Sequence, residues 1–309
     1  MSTMPAPPPA KIAIIGSGAV GSTIAFSLIM NRLPAEIILS DIDTRRAGGE
    51  ALDLSDATFV SSSSVRVAKN QQEVGQCDII VITAGAKQKP GESRANLIDR
   101  NYHIMQSVIK GMQPINPNAK IIIVANPVEI LCHIAQKLSG LPRNQVFGSG
   151  TFLDSARLRL SVAEMLNVHE SSVHCYVVGE HGDNQLVAWS AGRVGGAPLL
   201  NFDQFKNADL AHIAHEVARK AYEIIDRKGA TYYGIGACVA SLAESVLYHS
   251  RRVFPISCYN PESECYVSVP AVLGNDGVQH AVQLPLDDKE KAAFDEAVKS
   301  IKSITEKYN

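Results

Sequence analysis

The sequence predicts an α/β protein in which a doubly wound parallel sheet is followed by a mixed α/β region. In the first half, short β-branched apolar runs alternate with segments of helical length. A glycine-rich turn joins the first such run to the first helix, and the alternation stops near residues 148–150. Strands that alternate with helices in this way form parallel sheets. The 309 residues, of which 46% are hydrophobic, suffice for two packed domains.

Five apolar runs are the predicted strands of the parallel sheet, at Lys11–Ile15, Glu36–Ser40, Val65–Ala68, Asp78–Ile82 and Lys120–Val124. They are nearly continuous in apolarity, which is typical of strands that are buried on both faces. Helices are predicted between them, at Ala19–Asn31, Arg45–Phe59 and Ala95–Gln113. Each strand–helix–strand unit is expected to be a right-handed crossover, so the pattern predicts a doubly wound sheet.

The second half has a different pattern of longer helices and shorter strands. Helices are predicted at Leu153–Leu166, Asp209–Lys228, Tyr232–Tyr248 and Asp287–Lys307. Strands are predicted at Val173–Val178, Gln185–Trp189, Arg252–Ser257, Cys265–Ala271 and Gly277–Val282. We therefore predict a flexible tail over residues 1–10, one domain over residues 11–149 and a second over residues 150–309.

Composition excludes several classes of partner. The formal net charge is -2 and no block of basic residues occurs, so neither a nucleic-acid nor a membrane partner is expected. The sequence has no apolar run of about 18 residues and no secretory signal. Six cysteines without a C-x-x-C pair are expected to be reduced, buried thiols of a cytoplasmic protein. No metal is expected, because His181 and Asp183 lack a third ligand at a recognisable spacing.

A candidate cofactor site follows the first strand, where Gly16, Gly18 and Gly21 form G-x-G-x-x-G with Val20 inside the motif. These glycines permit a sharp turn, close approach of a pyrophosphate and close packing of helix on strand. Asp41 follows the second strand, 20 residues beyond Gly21, where a carboxylate can bind both adenosine-ribose hydroxyls and repel a 2′-phosphate. The motif therefore predicts NAD, although Asp41 alone would also suit a solvated strand end.

Three further segments carry candidate catalytic groups. His181 stands between glycines in the sequence GEHGD, directly after a predicted strand. Asp154 and Arg157 are three residues apart at the start of a predicted helix, so they share one face, either as a site or as an ordinary ion pair. Residues 85–94, GAKQKPGESR, form a polar loop with glycine and proline, which indicates a mobile lid or a plain surface loop.

Together these segments carry a resemblance to a known family. VITAGAKQKPGESRANLIDRN, VANPVEIL, GSGTFLDSARLR and GEHGD follow GSGAVGS in this order, and the chain resembles the L-lactate dehydrogenase branch of the lactate/malate dehydrogenase family. The similarity runs from about Lys11 to the C-terminus. It implies a Rossmann domain, a mixed α/β substrate domain and NAD-dependent oxidoreduction of pyruvate and L-lactate, as in glycolysis and pyruvate fermentation. It also implies a homotetramer, and the short N-terminal tail favours a bacterial type.

The resemblance implies a role for each catalytic candidate. His181 would exchange a proton with the C2 oxygen of the substrate, and Asp154 would bind the other ring nitrogen. Arg157 would bind the substrate carboxylate through two parallel hydrogen bonds. Arg94, delivered by lid closure, would polarise the carbonyl. The remaining implied contacts are made by Asn126 to the C2 oxygen and nicotinamide, Thr231 to the substrate pocket, Ile235 to the nicotinamide ring, and Lys87, where many members carry arginine, to the pyrophosphate.

Substrate choice is expected to depend on Gln88 in the lid. Malate enzymes of the family place arginine there to pair with the second carboxylate of oxaloacetate, whereas neutral glutamine favours pyruvate. Lys89 is a neighbouring cation that would reopen the malate alternative, and longer 2-keto acids stay open. A non-enzymatic NAD-binding protein is disfavoured because the implied catalytic set is complete in the sequence.

Two further residues raise an allosteric hypothesis. Arg159 and His174 match positions at which bacterial members of the family bind fructose 1,6-bisphosphate between subunits. An arginine beside a titratable histidine suits a phosphate group. The same residue types also occur in members that are not activated, so both outcomes stay open.

Overall fold

A computed structural model describes residues 9–86, 91, 93–182 and 184–308. The strands are β1 (Ala10–Ile15), β2 (Ala35–Ser40), β3 (Ser64–Val67), β4 (Ile79–Ile82), β5 (Lys120–Ile123), β6 (Val146–Gly148), β7 (Val173–His174), β8 (Val177–Gly179), β9 (Gln185–Val187), β10 (Arg193–Val194), β11 (Ala197–Pro198), β12 (Arg252–Asn260), β13 (Cys265–Gly274) and β14 (Gly277–Ala281). The helices are α1 (Ala19–Met30), α2 (Thr44–Asp56), α3 (Gln71–Gly75), α4 (Arg94–Gly111), α5 (Val128–Ser139), α6 (Phe152–Leu166), α7 (Asp203–Lys206), α8 (Leu210–Lys228), α9 (Tyr233–Leu247) and α10 (Asp288–Thr305).

The first six strands form a parallel sheet in the order β3-β2-β1-β4-β5-β6. Ile12 of β1 lies opposite Ile37 of β2 on one side and Ile79 of β4 on the other. The strand order therefore reverses beside β1, and ligands of such sheets bind outside the carboxyl ends of the strands at this point. The predicted α/β fold class is confirmed, including its five predicted parallel strands.

Six elements were not predicted from the sequence: α3, α5, α7, β6, β10 and β11. α5 begins five residues after β5 ends, and its first five residues are all buried. The other five elements are two to five residues long. Elements this short carry little periodicity, which explains why they were not predicted.

Strands of the second half continue the same sheet. β12 pairs antiparallel with β6, β13 pairs with β12, and β8 and β9 follow β13. The prediction of one continuous strand over Val173–Val178 was wrong, because β7 pairs with β10 in a separate three-stranded sheet while β8 joins the large one. This arrangement brings the end of β8, which carries the GEHGD segment, beside β13 and near the parallel strands.

The core consists of a large cluster around the long sheet and a smaller one between α6, α8 and the three-stranded sheet. All six cysteines lie in the described residues and are buried, unpaired thiols. None of the helices in the described parts of the chain is long and apolar enough to cross a membrane.

Candidate active site

The glycine motif forms the turn between β1 and α1. Gly16 has φ +95°, and a Cβ there would lie 2.6 Å from Thr83 Oγ1 and 2.9 Å from the backbone N of Ala84. A Cβ on Gly21 would lie 1.9 Å from the carbonyl oxygen of Gly16. No larger residue fits at either position without displacement of the backbone. The turn therefore requires glycine for its geometry, as the motif predicted.

The N-terminus of α1 is suited to a phosphate group. Gly18 is the N-cap residue, no side chain caps the helix, and no acidic residue lies in its first turn. The first backbone N–H groups of a helix lack partners within the helix, and its dipole favours an anion. Val20 in this turn is half-buried and packs against the main core. The predicted pyrophosphate site thus has the required backbone donors and no acidic residue in the first turn of the helix.

Asp41 follows β2 directly and lies beside this turn. Its Oδ2 accepts hydrogen bonds from the backbone N of Ser17 at 2.6 Å and from Ser17 Oγ at 3.0 Å. Burial alone would raise the pKa of Asp41, but these bonds, a bond from the backbone N of Asp43 and the nearby Arg46 lower it. An ionised carboxylate is therefore fixed at the end of β2, in contact with the turn that forms the phosphate site.

Asp154, Arg157 and His181 lie together in the structure. Asp154 is in the first turn of α6, and its side chain is 3% exposed. His181 Nδ1 donates to Asp154 Oδ2 at 2.8 Å, and Arg157 Nη1 donates to Asp154 Oδ1 at 3.3 Å. One buried carboxylate therefore orients both cations. Since Nδ1 is engaged, Nε2 is the ring nitrogen that can exchange a proton with a substrate.

The charges of this cluster favour a protonated histidine. Burial alone would lower the pKa of His181, but the carboxylates of Asp154 and Glu129 raise it above its ordinary value, against the opposing charge of Arg157. Burial would likewise raise the pKa of Asp154, yet His181 and Arg157 lower it. An ionised aspartate next to an imidazolium is the arrangement expected of a general acid that donates a proton near neutral pH.

Arg94, the first residue of α4, forms an ion pair with Glu180. The side chain of Arg94 is 45% exposed, whereas that of Glu180 is 1% exposed. Glu180 Oε2 also accepts hydrogen bonds from Asn184 Nδ2 at 2.7 Å and from Ser300 Oγ of α10 at 3.2 Å. Arg94 thus contacts the residue that precedes His181, which places it next to the catalytic segment.

Asn101 is a site residue that the sequence analysis missed. It is buried on α4, its Oδ1 accepts from the backbone N of Ala86 at 2.7 Å, and its Nδ2 donates to the carbonyl of Asn126 at 2.8 Å. It therefore joins the start of the predicted lid to the loop after β5. A sequence signal existed, since Asn101 occupies a core-facing position in register with buried Ile98, Met105 and Ile109.

The other predicted residues lie in three places. Thr231 precedes α9 and Ile235 is in its first turn, and both are half-buried. α9 crosses α1 closely, because a Cβ on Gly236 would lie 2.6 Å from Thr23 Cγ2, so Ile235 lies near the cofactor turn. Asn126 follows β5 and is exposed. The structure does not describe Lys87 and Gln88, or Lys89 and Asp183, so the predictions for these residues lie outside the described chain.

Arg159 lies on α6, five residues after Asp154, and His174 lies on β7. Arg159 Nε donates to the carbonyl of Cys175 at 3.0 Å, and its guanidinium lies 4.8 Å from the centre of the Tyr176 ring. His174 is exposed. The two residues are therefore neighbours across α6 and β7. Among the described residues, no group of three or more His, Cys, Asp or Glu side chains is arranged to hold a metal ion.

Comparison with known families identifies the chain. Residues 10–148 match the lactate/malate dehydrogenase NAD-binding domain, and residues 151–309 match the α/β C-terminal domain of the same family. The chain belongs to the lactate/malate dehydrogenase family. The predicted family is confirmed, and NAD is confirmed as the cofactor of its N-terminal part. Three features fit this cofactor: the glycine turn, the N-terminus of α1 without a side-chain cap, and the carboxylate of Asp41.

Individual relatives match over nearly their whole length. An L-lactate dehydrogenase A of Rhizopus oryzae is 47% identical over 294 residues, which cover 95% of this chain and 92% of that protein. An L-lactate dehydrogenase 2 of Bacillus anthracis is 40% identical and covers 94% of this chain and 96% of that protein. A crystal structure of a ligand-bound minor L-lactate dehydrogenase from Enterococcus mundtii superposes with a TM-score of 0.92 at 33% identity, covering 98% and 99% of the two chains.

Proposed function

We propose that the protein is an NAD-dependent L-lactate dehydrogenase that interconverts pyruvate and L-lactate. The observation that carries this proposal is the bond from His181 Nδ1 to the buried Asp154, whose other oxygen binds Arg157. This cluster offers a proton donor and a carboxylate-binding guanidinium at one place. The names of the relatives, which are L-lactate dehydrogenases over nearly full length, support the same activity.

Arg157 binds the substrate carboxylate and thereby orients the 2-keto acid. Its guanidinium is 9% exposed and is held by Asp154, so little side-chain entropy is lost when the substrate binds. A guanidinium can present two parallel N–H donors to a carboxylate, which an ammonium group cannot. Asn126 and Thr231 complete the substrate contacts, and Ile235 provides an apolar wall.

His181 donates the proton that completes the reduction. When bound at the glycine turn and Asp41, NADH would supply the hydride for C2 of pyruvate, and the carbonyl oxygen would gain the electron pair of the π bond. His181 transfers its Nε2 proton to that oxygen, which gives the hydroxyl of L-lactate and a neutral imidazole. Asp154 holds the ring in one tautomer and stabilises the imidazolium before transfer. In the reverse direction the neutral ring accepts the hydroxyl proton.

Arg94 stabilises the negative charge that develops on the carbonyl oxygen. Arg94 is paired with Glu180, so it must exchange this partner for the substrate when the lid closes. The lid comprises residues 85–94, and by the family resemblance Lys87 would bind the cofactor pyrophosphate and Gln88 would set the choice of substrate. A neutral Gln88 disfavours oxaloacetate, since its second carboxylate would be buried without a partner.

The test compares kcat/KM for pyruvate and oxaloacetate in the wild type and in a Gln88→Arg variant, followed by NADH absorbance. We expect pyruvate to be favoured by about 100-fold or more in the wild type, roughly 2.7 kcal/mol. The variant is expected to reverse this ratio, because an arginine supplies the missing cation. Equal or better turnover of oxaloacetate by the wild type would instead favour the malate alternative, with Lys89 as the cation. No turnover of either acid would contradict the substrate assignment and favour bulkier 2-keto acids.

The assembly and regulation of the enzyme follow from the same proposal. We propose a cytoplasmic homotetramer of chains, each with domains over residues 11–149 and 150–309. Fructose 1,6-bisphosphate is its effector, bound at Arg159 and His174, and the guanidinium of Arg159 and the exposed position of His174 support this choice. The mass of the assembly in solution tests the tetramer. An unchanged pyruvate saturation curve with the sugar bisphosphate, at acidic and neutral pH, would exclude the effector.

A further inference from the structure

Glu129 is a second buried carboxylate next to the catalytic histidine. It lies in the first turn of α5 and has no exposed surface. Its Oε1 accepts a hydrogen bond from Ser268 Oγ of β13 at 2.6 Å. The charge of His181 and the bond from Ser268 stabilise its ionised form. Glutamate is almost never fully buried without a compensating partner, so this position calls for a function.

The position of Glu129 connects three elements of the site. α5 begins two residues after Asn126, which is proposed to contact the substrate and nicotinamide. Ser268 pairs in register with Gly179, the last residue of β8 and two residues before His181. Glu129 therefore links the loop after β5 to strand β13 through its bond to Ser268. Strand β13 in turn pairs with β8, which leads to the catalytic segment.

The electrostatics of Glu129 and His181 are coupled. Burial raises the pKa of Glu129 above its ordinary value, and the charge of His181 and the bond from Ser268 offset this only in part. Conversely, Glu129 raises the pKa of His181. Protonation of either group therefore depends on the other.

The other titratable groups around this pair are accounted for. Asp154 and Arg157 face His181 from α6, and the Glu180–Arg94 ion pair adjoins it in sequence. The thiols near Glu129 are those of Cys132 on α5 and Cys265 on β13. Burial raises the pKa of both thiols, that of Cys265 to about 11, so they stay neutral in the working range.

We propose that Glu129 is a positioning residue that acts on His181 together with Asp154, because its bond to Ser268 fixes strand β13 against the strand that leads to the histidine. Asp154 binds the ring directly, whereas Glu129 acts through β13 and through its charge. The expected change in the pH dependence of turnover rests on the proposed dehydrogenase function, whereas the expected change in the protonation of His181 does not.

The test is the protonation midpoint of His181 in the ligand-free protein. Diethyl pyrocarbonate modifies neutral imidazole, so the extent of modification at His181, measured by peptide mass spectrometry against pH, gives this midpoint without any turnover. We expect Glu129→Gln to lower the midpoint by about one pH unit, because a nearby opposite charge shifts a pKa by about that amount or more. Glu129→Asp retains the charge and is expected to stay much closer to the wild type.

The kinetic measurement is the pH dependence of kcat in both directions of the reaction, and both profiles should shift by the same amount. In Glu129→Gln, the alkaline limb of pyruvate reduction and the acidic limb of lactate oxidation should move together to lower pH. A folded Glu129→Gln protein whose His181 midpoint equals that of the wild type would overturn the proposal, even if kcat or Tm falls. If this variant does not fold, Ser268→Ala tests the same coupling, because loss of the hydroxyl bond raises the pKa of Glu129 and should lower the His181 midpoint. An unchanged His181 midpoint in Ser268→Ala also overturns the proposal. A wild-type protein that turns over no 2-keto acid would refute only the proposed enzyme function.

Discussion

The cofactor turn and the proton-transfer cluster are built in different ways. The turn is formed within one strand–helix unit and the end of β2, and its shape depends on backbone that allows no Cβ at Gly16 or Gly21. The cluster brings together side chains from α6, the end of β8 and α5, and depends on buried charges. The comparison indicates that the glycine turn is sensitive to side-chain volume, whereas the proton-transfer cluster is sensitive to charge.

The largest effect is expected from removal of the proton donor. His181→Asn keeps a side chain of similar size that can bond to Asp154 but cannot donate a proton at neutral pH. We expect kcat for pyruvate reduction to fall by about 10²–10⁴-fold, while the affinity for NADH, measured by fluorescence titration, stays within about twofold. A residual kcat within tenfold of the wild type would show that another group supplies the proton.

A smaller but distinct effect is expected at the cofactor turn. In Gly21→Ala the new Cβ would lie 1.9 Å from the carbonyl oxygen of Gly16, so the turn must move. We expect NADH to bind at least about tenfold more weakly, and the free energy of unfolding to fall by about 1–3 kcal/mol, as for other overpacked sites. Fluorescence titration and thermal unfolding measure the two quantities.

Gly49→Ala is the matched control for this change. Gly49 lies in α2, and a Cβ there would meet no atom within 4 Å. Alanine in a helix is more favourable than glycine by about 1 kcal/mol, so this variant should be neutral or slightly more stable, with unchanged NADH affinity. If both variants weaken NADH binding equally, the steric explanation for Gly21 is wrong.

The same comparison explains which parts of the site could be predicted from sequence. The glycine turn and Asp41 were predictable from residue patterns because the motif is local and its geometry follows from glycine. Asp154 and His181 are 27 residues apart and meet because the start of α6 is hydrogen-bonded to β8, so spacing could not predict their bond. Family resemblance supplied that pair, and the geometry now supports it.

Buried polar residues outside the motifs were missed for a related reason. Asn101 and Glu129 each interrupt an otherwise apolar pattern, so their burial was foreseeable from helical spacing. Their partners were not, because Ala86, Ser268 and His181 come from other elements of the fold. A sequence can therefore indicate that a buried polar group needs compensation, while only the tertiary structure shows which group provides it.

The smallest effect is expected at a charge cluster in the cofactor-binding half. Arg66 forms ion pairs with Glu36 at 2.6 Å and Glu73 at 2.7 Å, and all three side chains are partly exposed. The bonds from Arg66 lower the pKa of Glu73 from 4.5 to about 2. Because the folded-state pKa is depressed, the stabilisation is complete above pH 4.5 and is lost as the pH falls towards 2.

Glu73→Gln removes this contribution without touching either site. We expect the free energy of unfolding at pH 7 to fall by about 1 kcal/mol or less, since water screens a partly exposed pair. The difference from the wild type should shrink as the pH drops from 4.5 towards 2, and kcat/KM should stay within about twofold. Denaturant unfolding at several pH values measures the first quantity. A large loss of kcat/KM would mean that charges matter in the cofactor-binding half as well, and the contrast between backbone-determined and charge-determined regions would not hold.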